Sequence, residues 1–421
     1  MSIIKIALVG AGERGKNCYA PHIRRGGDLM KFVAVAEPKE ERRNEFVKKY
    51  NIEEANVFET GEELFTKPKL ADAVMICTQD KQHFGHAKAA IEKGYSILME
   101  KPISPDPKEC LVLQKLAEEK GVSIIVCHVL RYTKIFREIK KQIDRGTIGE
   151  VVSVVHTENI GYWHFAHSYV RGNWRNESAS APMIIAKCCH DMDIISYLLG
   201  SRCKTVSSFG DLRYFKKENA PVGAPNRCLD GCPHSFSCEY FAPKFYLGCG
   251  DGWPASCISA DLSEEGRLRA LREGPYGKCV FAGGNDVCDH QIASMVFENG
   301  VTVAFTASAF SNNCERSIKI MGTRGEIETA TSESTVKVTQ FGQGQRTGNT
   351  DTIKIVKSPY GHNGGDEGIM ETFALAMSGQ QKNKNLFSQS VHSHIIGFAI
   401  EESRKTGKTV NIEEYEKSLQ L

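Results

Sequence analysis

Short apolar runs alternate with polar, charge-rich segments along the first 130 residues. The runs occupy residues 3–9, 32–36, 73–77, 96–99 and 122–127. The segments between them, such as 108–120, carry apolar residues at helical spacing. Buried strands that alternate with amphipathic helices predict βα units around a parallel sheet. The first part of the chain is therefore predicted as an α/β domain.

After Gly149 the pattern changes to longer strands in which apolar and polar residues alternate. These strands cover residues 151–155, 293–297, 302–307 and 317–321. Alternation of this kind predicts a mostly antiparallel, open sheet with one covered face. Helices are predicted over residues 181–200, 367–377 and 388–406, with Asp366 as the N-cap of the second, and 341–352 as a flexible connection. The expected division is an α/β domain over 1–128 and an α+β domain over 129–421, with a cysteine-rich insertion at about 216–284.

Composition narrows the classes of partner. The 421 residues include 53 Lys and Arg against 51 Asp and Glu, a formal charge of +2, and no basic stripe that would favour nucleic acid. No apolar run approaches the length of a membrane span, and no secretory signal precedes the first strand. A cytoplasmic protein with a small-molecule partner is expected, and its 15 cysteines are then thiols or metal ligands rather than disulfides.

A glycine-rich motif follows the first predicted strand. Gly10, Gly12 and Gly15, with Glu13 and Arg14 between them, match the G-x-G-x-x-G pattern that lets a backbone approach a pyrophosphate. Glu37 ends the second strand 22 residues after the last glycine, where a carboxylate accepts hydrogen bonds from an adenosine ribose. The motif predicts a Rossmann dinucleotide-binding domain and favours NAD. NADP remains the less favoured cofactor, because four cations, Arg14, Lys39, Arg42 and Arg43, lie nearby in the sequence.

Lys101 follows the strand at 96–99 and precedes Pro102. The proline prevents further strand pairing, so the lysine is predicted at the carboxyl end of the sheet, where α/β proteins bind ligands. A solvated lysine after an edge strand is the alternative interpretation.

The predicted helix at 181–200 carries His190 and, three residues later, Asp193. A histidine beside a carboxylate is a candidate general base with its orienting partner, whereas a core histidine is the alternative. Upstream, Trp163, His167 and Arg171 lie in an aromatic stretch suited to gripping a sugar, or to forming an aromatic core under a long loop. His362 lies among glycines and is a secondary candidate substrate contact.

Four segments together resemble the glucose-fructose oxidoreductase, inositol dehydrogenase and MocA (Gfo/Idh/MocA) family of NAD(P)-dependent oxidoreductases: GAGERG, ICTQDKQH at 76–83, MEKPIS at 99–104 and VCHVLRY at 126–132. The resemblance implies that Lys101 polarises the reacting hydroxyl and that His190 is the catalytic histidine. It implies cofactor contacts for Thr78, His83 and Glu100, and Asp80 and Arg131 are expected at the same site. It also makes a cis Lys101–Pro102 bond worth testing and implies a homo-oligomer, either a dimer or a tetramer.

One position departs from the family. Many members carry an aspartate four residues before the histidine, where this chain has Ala186 followed by Lys187. Lys187 near Lys101 would make the pocket more cationic. We therefore count Lys187 among the catalytic candidates and expect an anionic or strongly polar sugar as substrate.

The insertion contains Cys228, Cys232 and Cys238 at x3 and x5 spacing, with Cys279 at a later turn. These four thiols could form a tetrahedral site, with zinc as the first choice and an iron–sulfur cluster as the second. His234, Cys249 and Cys257 are alternative ligands, and plain free thiols are the alternative to any metal.

The sequence thus predicts an NAD-dependent oxidoreductase that acts on a secondary hydroxyl of a sugar, polyol or glycoside. One alternative is an NAD-dependent, redox-neutral glycosidase or lyase that works through a transient keto-sugar. The other is a sugar- and dinucleotide-sensing protein without catalysis.

Overall fold

The computed structural model describes residues 3–26, 29–359, 361–380 and 386–419. Its first sheet is entirely parallel, in the order β3-β2-β1-β4-β5-β6. The strands are β1 (Ile4–Val9), β2 (Met30–Ala36), β3 (Val57–Phe58), β4 (Ala73–Ile76), β5 (Ser96–Met99) and β6 (Ile124–Val126). This is the Rossmann order: the chain adds strands on one side of β1 up to β3 and then continues on the other side with β4, and the ligand crevice opens between β1 and β4.

Helices cover both faces of this sheet, and most begin where the sequence supplies a cap or a proline. They are α1 (Glu40–Tyr50), α2 (Gly61–Thr66), α3 (His83–Glu92), α4 (Pro107–Lys120) and α5 (Lys134–Asp144). The segment after the glycine motif differs, because it forms a π-helical turn, Glu13–Tyr19, and then a 3-10 turn, Ala20–Gly26. Pro21 lacks the N–H that an α-helix would need at that point.

The second sheet is mostly antiparallel and open, as the alternating pattern predicted. Its order is β14-β13-β12-β11-β7-β10-β9-β8-β15, and the β7–β10 pair is parallel. The strands are β7 (Val151–Asn159), β8 (Cys203–Asp211), β9 (His290–Phe297), β10 (Thr302–Ser308), β11 (Glu315–Gly322), β12 (Gly325–Ala330), β13 (Thr335–Gln340), β14 (Asn349–Lys354) and β15 (Val410–Asn411). The predicted α/β class, with a Rossmann domain and an α+β domain, is confirmed.

The remaining helices lie beside the second sheet, in the insertion and near the chain end. They are α6 (Tyr162–Phe165), α7 (Met183–Ala186), α8 (Cys189–Leu199), α9 (Ala242–Gly248), α10 (Ala255–Ile258), α11 (Glu264–Glu273), α12 (Gly365–Met377), α13 (Leu386–Thr406) and α14 (Ile412–Leu419). Helix α13 packs against β8 and α8. Within the described part of the chain, no helix has both the length and the apolar character to cross a membrane.

Three local predictions were wrong. The helix predicted over 181–200 is broken at Lys187 and Cys188 into α7 and α8. The connection predicted as flexible ends in β14, which pairs with β13 at the sheet edge. Asp366 is not the N-cap of α12, because Gly364 takes that position at φ +87° and Asp366 lies buried in the first turn.

Helix α12 belongs to the core of the first sheet although it comes late in the chain. Its apolar residues Ile369, Met370 and Phe373 share one cluster with Leu8 and Leu98 of the parallel strands. One face of the Rossmann sheet is therefore completed by the C-terminal half of the chain.

Candidate active site

The glycine motif forms a tight turn that leaves room for a ligand at one position. Gly10 has φ +95°, and a Cβ there would lie 2.6 Å from the carbonyl oxygen of Cys77. A Cβ at Gly15 would lie 2.3 Å from the carbonyl oxygen of Gly10. Around Gly12 the nearest such atom, the Arg42 Nη1, is 3.8 Å away, and Gly12 caps the following helical turn. Open space beside free helical N–H groups fits a dinucleotide pyrophosphate.

Glu37 lies at the end of β2 beside this turn and is buried. Its carboxylate accepts hydrogen bonds from the backbone N–H of Ala11 at 2.8 Å and of Lys39 at 3.0 Å. Arg43 donates to the Glu37 carbonyl oxygen at 2.7 Å. The carboxylate is thus held at the position where an adenosine ribose lies in this fold.

Arg14 connects the glycine motif to both halves of the molecule. Its Nε contacts Glu100 at 2.6 Å, its Nη2 contacts Asp366 at 2.7 Å, and it also binds the Tyr19 hydroxyl. Burial opposes ionisation of Glu100 and Asp366, yet the Arg14 charge helps to hold the pKa of both carboxyls below their usual values. His362 completes the cluster, with its Nδ1 3.0 Å from Asp366.

The predicted cofactor residues after β4 are linked to the Lys101 segment. The His83 Nδ1 donates to the carbonyl oxygen of Pro102 at 2.6 Å, and the Thr78 hydroxyl lies 3.2 Å from the His86 Nδ1. Asp80 accepts hydrogen bonds from Trp174 at 3.0 Å and from Ser180 at 2.6 Å. Asp80 therefore connects the edge of the first domain to the second domain through two hydrogen bonds.

Lys101 lies at the carboxyl end of β5, next to the break between α7 and α8. Its Nζ donates to the carbonyl oxygen of Ala186 at 2.8 Å, and the Lys101–Pro102 peptide bond is cis. The broken helix supplies this acceptor, because the C-terminal carbonyls of α7 have no continuing helix to bond with.

His190 lies in the first turn of α8 and is only 8% exposed. Among the described residues its Nδ1 has no hydrogen-bonding partner. Burial and the nearby charges of Lys101 and Arg316 lower the pKa of His190 well below 6.5. The ring is therefore neutral at physiological pH and can accept a proton.

Asp193 is not the partner of His190, which corrects the sequence-based pairing. Its carboxylate lies 2.7 Å from the His128 Nδ1, and it accepts two hydrogen bonds of 2.6 Å from Arg131. Arg131 also donates to Gln389 at 3.1 Å. The planar guanidinium matches a carboxylate at two points, so Asp193 and Arg131 fix α8 against the first domain.

Lys187 belongs to a buried charge network that the sequence did not reveal. Its Nζ lies 3.3 Å from Glu158 of β7, and Arg316 of β11 contacts Glu158 at 2.8 Å and Asp191 at 2.8 Å. His156 also contacts Asp191, at 2.8 Å. The charge of Lys187 is therefore balanced, which removes the reason to expect an unusually cationic pocket. The one signal for Glu158 was its place in the inward register of β7.

The aromatic stretch divides between packing and the pocket. Arg171 donates to the carbonyl oxygens of Lys278 at 2.8 Å and Tyr240 at 2.7 Å. The His167 Nδ1 lies 2.7 Å from the Tyr246 hydroxyl, and its ring stacks on Tyr276. These contacts favour the packing alternative for both residues, because their partners belong to the insertion.

Trp163 is half-buried and lies against the rings of His164 and Trp253. Sequence reasoning passed over His164, whose pKa is lowered by burial and by the charges of Lys187, His167 and Lys101. His164 is thus nearer the candidate catalytic lysine than the sequence indicated.

The cysteine quartet Cys228, Cys232, Cys238 and Cys279 lines a single cavity. No three of its sulfurs lie within 4.8 Å of one another. A different trio, His128, Cys189 and His394, meets that distance among the described residues. Both nitrogens of His394 are engaged, with the Ile103 N–H and the Ser390 carbonyl oxygen, and the His128 Nδ1 contacts Asp193.

Comparison with known proteins agrees with this arrangement over both domains. Residues 4–128 match the model described as "Oxidoreductase family, NAD-binding Rossmann fold", and residues 140–412 match that of "Oxidoreductase family, C-terminal alpha/beta domain". The putative oxidoreductase YteT of Bacillus subtilis is 24% identical over 354 residues, which is 78% of each chain. Inositol 2-dehydrogenase 4 of Saccharopolyspora erythraea is 28% identical over 261 residues, 60% of this chain and 70% of that protein.

Among solved structures, levoglucosan dehydrogenase in complex with NADH and levoglucosan has a TM-score of 0.73 at 18% identity, covering 98% of this chain and all of that one. The two family models together span most of the residues, from β1 to the last helix. The glycine turn, the lysine at the end of β5 and the histidine of α8 thus belong to a member of the Gfo/Idh/MocA family of NAD(P)-dependent oxidoreductases.

Proposed function

We propose that this protein is an NAD-dependent dehydrogenase that oxidises a secondary hydroxyl of a sugar, polyol or glycoside, and that it reduces the ketone in reverse. The observation that carries the proposal is the neutral imidazole of His190 in the first turn of α8, beside the Lys101 charge. An acceptor and a cation at the carboxyl end of β5 are what removal of a hydroxyl proton requires.

In this proposal His190 takes the hydroxyl proton, and Lys101 stabilises the negative charge that develops on the oxygen. Ala186 positions Lys101 through the hydrogen bond to its Nζ. Bound NAD supplies the acceptor for the hydride that leaves the substrate carbon. His83 positions the same segment through its bond to Pro102.

Glu37 supports NAD over NADP, because a buried carboxylate at this position accepts ribose hydroxyls and repels a 2′-phosphate. Glycine positions 10, 12 and 15 and the Thr78–His83 segment are assigned to the cofactor in the same proposal. Arg14 and Glu100 bind each other, and they would border the cofactor as a pair.

A neutral carbohydrate is the proposed substrate class. Relatives with printed activities include an inositol 2-dehydrogenase, a D-glucoside 3-dehydrogenase and levoglucosan dehydrogenase. Because Glu158 balances Lys187, the expectation of an anionic substrate loses its basis. Trp163, His164 and His362 are the proposed substrate contacts.

The assembly is proposed as a homo-oligomer formed through the outer face of the second sheet. Phe209 and Ile292 are directly paired across β8 and β9 on this face and are 66% and 49% exposed. Val155 and Val296 add further exposed apolar surface. Exposed apolar patches on a flat sheet mark protein–protein contacts.

The test is NADH formation by the purified protein with a panel of inositols, hexoses, glycosides and uronates. Lys101→Met and His190→Asn are run beside the parent and beside the exposed-lysine control Lys69→Met. We expect turnover with a neutral carbohydrate that falls about 10²–10⁴-fold in His190→Asn, the range for loss of an acid–base group. Release of an aglycone without NADH would instead indicate the redox-neutral glycosidase, and binding without any turnover would indicate the sensor.

A further inference from the structure

The insertion brings four distant cysteines to one place. Cys228, Cys232, Cys238 and Cys279 line the same cavity, and all four are free of disulfides. Cys228 and Cys279 lie on neighbouring segments, because the Cys228 N–H donates to Gly277 and the Cys279 N–H donates to Asn226, each at 2.9 Å.

Two other candidate ligands of the insertion lie apart from this quartet. Cys249 donates to the carbonyl oxygen of Tyr246 and lies outside the cavity wall, and Cys257 is exposed. His234 lines the cavity, and its Nε2 donates to the carbonyl oxygen of Val222 at 2.8 Å. The cavity therefore offers four sulfurs, with one histidine beside them.

The spacing of these sulfurs is too wide for a single zinc ion. Zn–S bonds of about 2.3 Å hold the sulfurs of a tetrahedral site about 3.8 Å apart. Here no three of the four sulfurs fall within 4.8 Å of one another. An iron–sulfur cluster also takes four thiolates, but it holds them farther apart because irons and sulfides lie between them.

Three of the four sulfurs have hydrogen-bond donors close to them. Arg171, only 4% exposed, points its Nη2 at the Cys228 sulfur at 3.8 Å. Backbone groups of Tyr240 and Phe281 are hydrogen-bonded to the thiols of Cys238 and Cys279. Donors aimed at cysteine sulfurs stabilise cluster ligands and adjust their potential.

The insertion also needs a source of order beyond its own core. Residues 220–241 contain no helix or strand, and the local apolar cluster has four buried members, Cys228, Ala242, Tyr246 and Leu271. So long a segment with so small a core is ordinarily stabilised by a disulfide or a metal.

We propose that Cys228, Cys232, Cys238 and Cys279 hold an iron–sulfur cluster that organises the insertion against the aromatic segment of the second domain. Ferrous iron, ferric iron and sulfide supply the cluster, and each thiol releases its proton as its sulfur binds iron, so the ligation itself transfers no electrons. The cluster site is independent of the proposed dehydrogenase reaction, since it involves neither Lys101 nor His190.

The test is the metal content of the full chain, purified without oxygen and reconstituted with equal amounts of ferrous and ferric iron together with sulfide. We expect equal amounts of iron and acid-labile sulfide, a broad visible absorption and an electron paramagnetic resonance signal after reduction. Stoichiometric zinc without iron, or no bound metal after reconstitution, would overturn the proposal. These readouts require no enzyme activity, so a failed dehydrogenase assay leaves them intact.

Variants assign the ligands. Cys232→Ser and Cys238→Ser are expected to bind iron at least about tenfold more weakly, because even changes around a metal site cost that much. Cys257→Ser, a change of the same kind elsewhere in the insertion, should keep the parent's iron and sulfide. Equal iron in all three variants would contradict the assignment. If a quartet variant fails to fold, the visible and electron paramagnetic resonance spectra of the parent still show whether the chain binds a cluster.

Discussion

His190 combines a buried ring with an Nδ1 that has no partner among the described residues, and this defines what the residue can do. An unpaired buried nitrogen costs free energy unless a ligand satisfies it. Burial and the Lys101 charge lower the pKa of His190, so the base stays neutral at pH values where an ordinary histidine is protonated.

The pH dependence of kcat/KM should reveal the lowered pKa of His190. A base must be neutral to act, so kcat/KM falls as the pH drops through the pKa of His190, which lies below 6.5 in the parent. Lys101→Met removes a charge that lowers the pKa of His190. The decrease of the residual kcat/KM at low pH should therefore begin at a higher pH in this variant than in the parent. The decrease should not move in Lys69→Met. An unchanged decrease at low pH in Lys101→Met would contradict the proximity of the two groups.

Cofactor preference tests a second residue. Glu37→Ala removes the carboxylate that repels a 2′-phosphate, while Arg42 and Arg43 remain near the turn. We expect kcat/KM with NADP to rise relative to NAD, and NAD to bind more weakly because Ala11 and Lys39 lose their acceptor. Glu59→Ala, an exposed carboxylate beside Arg43, serves as the control. An unchanged NAD/NADP ratio would show that Glu37 does not select the cofactor.

Single residues at strand ends could be predicted, but their partners could not. Lys101 was found because an apolar run ends at a proline, and Glu37 because of its distance from the glycines. The spacing of His190 and Asp193 says that they share a helix face. It does not say that Arg131, distant in sequence, takes the carboxylate with two hydrogen bonds.

At the scale of elements, the break between α7 and α8 controls the site. The break frees the Ala186 carbonyl for Lys101 and directs Lys187 to Glu158 of β7. No glycine or proline marks the break in the sequence, so the helical spacing of apolar residues predicted one continuous helix. β14 was missed for a related reason, since its residues are mostly exposed and an edge strand needs no apolar face.

The network behind the break should be important for stability. Glu158→Gln leaves Lys187 and Arg316 without their shared carboxylate, which is 1% exposed. Loss of one partner from a buried ion pair costs about 3–5 kcal/mol. We expect that decrease in the free energy of unfolding by denaturant titration.

Adding Lys187→Met to Glu158→Gln should recover part of the loss, because one unpaired charge is removed with its partner. Lys140→Met, which breaks an exposed ion pair on α5, is the control and should change stability little. Strict additivity of the two network changes would contradict the coupling of Lys187 and Glu158.

At the scale of the whole molecule, the two halves of the chain share more contacts than the local sequence patterns indicate. The βα alternation and the later period-two strands predicted both sheets. The return of α12 to the first sheet, and the Arg14–Asp366 contact that accompanies it, depend on pairings more than 300 residues apart. Local periodicity carries no information about such distant packing.

The exposed apolar residues on the outer face of the second sheet predict that copies of the chain associate through this face. Ile292→Lys places a charge in the middle of the proposed interface and should shift the molar mass, measured by light scattering, toward the monomer. Val356→Lys changes an equally apolar, 73% exposed residue outside the strands and should leave the mass unchanged. An unaltered mass in Ile292→Lys, or a monomeric parent, would contradict an interface on this face.

The most direct test of the proposed reaction measures transfer of the hydrogen on the reacting substrate carbon to the cofactor. A substrate from the carbohydrate panel, deuterated at the carbon that bears the reacting hydroxyl, is incubated with the parent protein and NAD, and the reduced cofactor is analysed by mass spectrometry. We predict one deuterium in the reduced cofactor, formed much more slowly in His190→Asn although NAD still binds. Product formation without deuterated cofactor, or equal rates in the parent and the variant, would contradict a dehydrogenase in which His190 takes the proton.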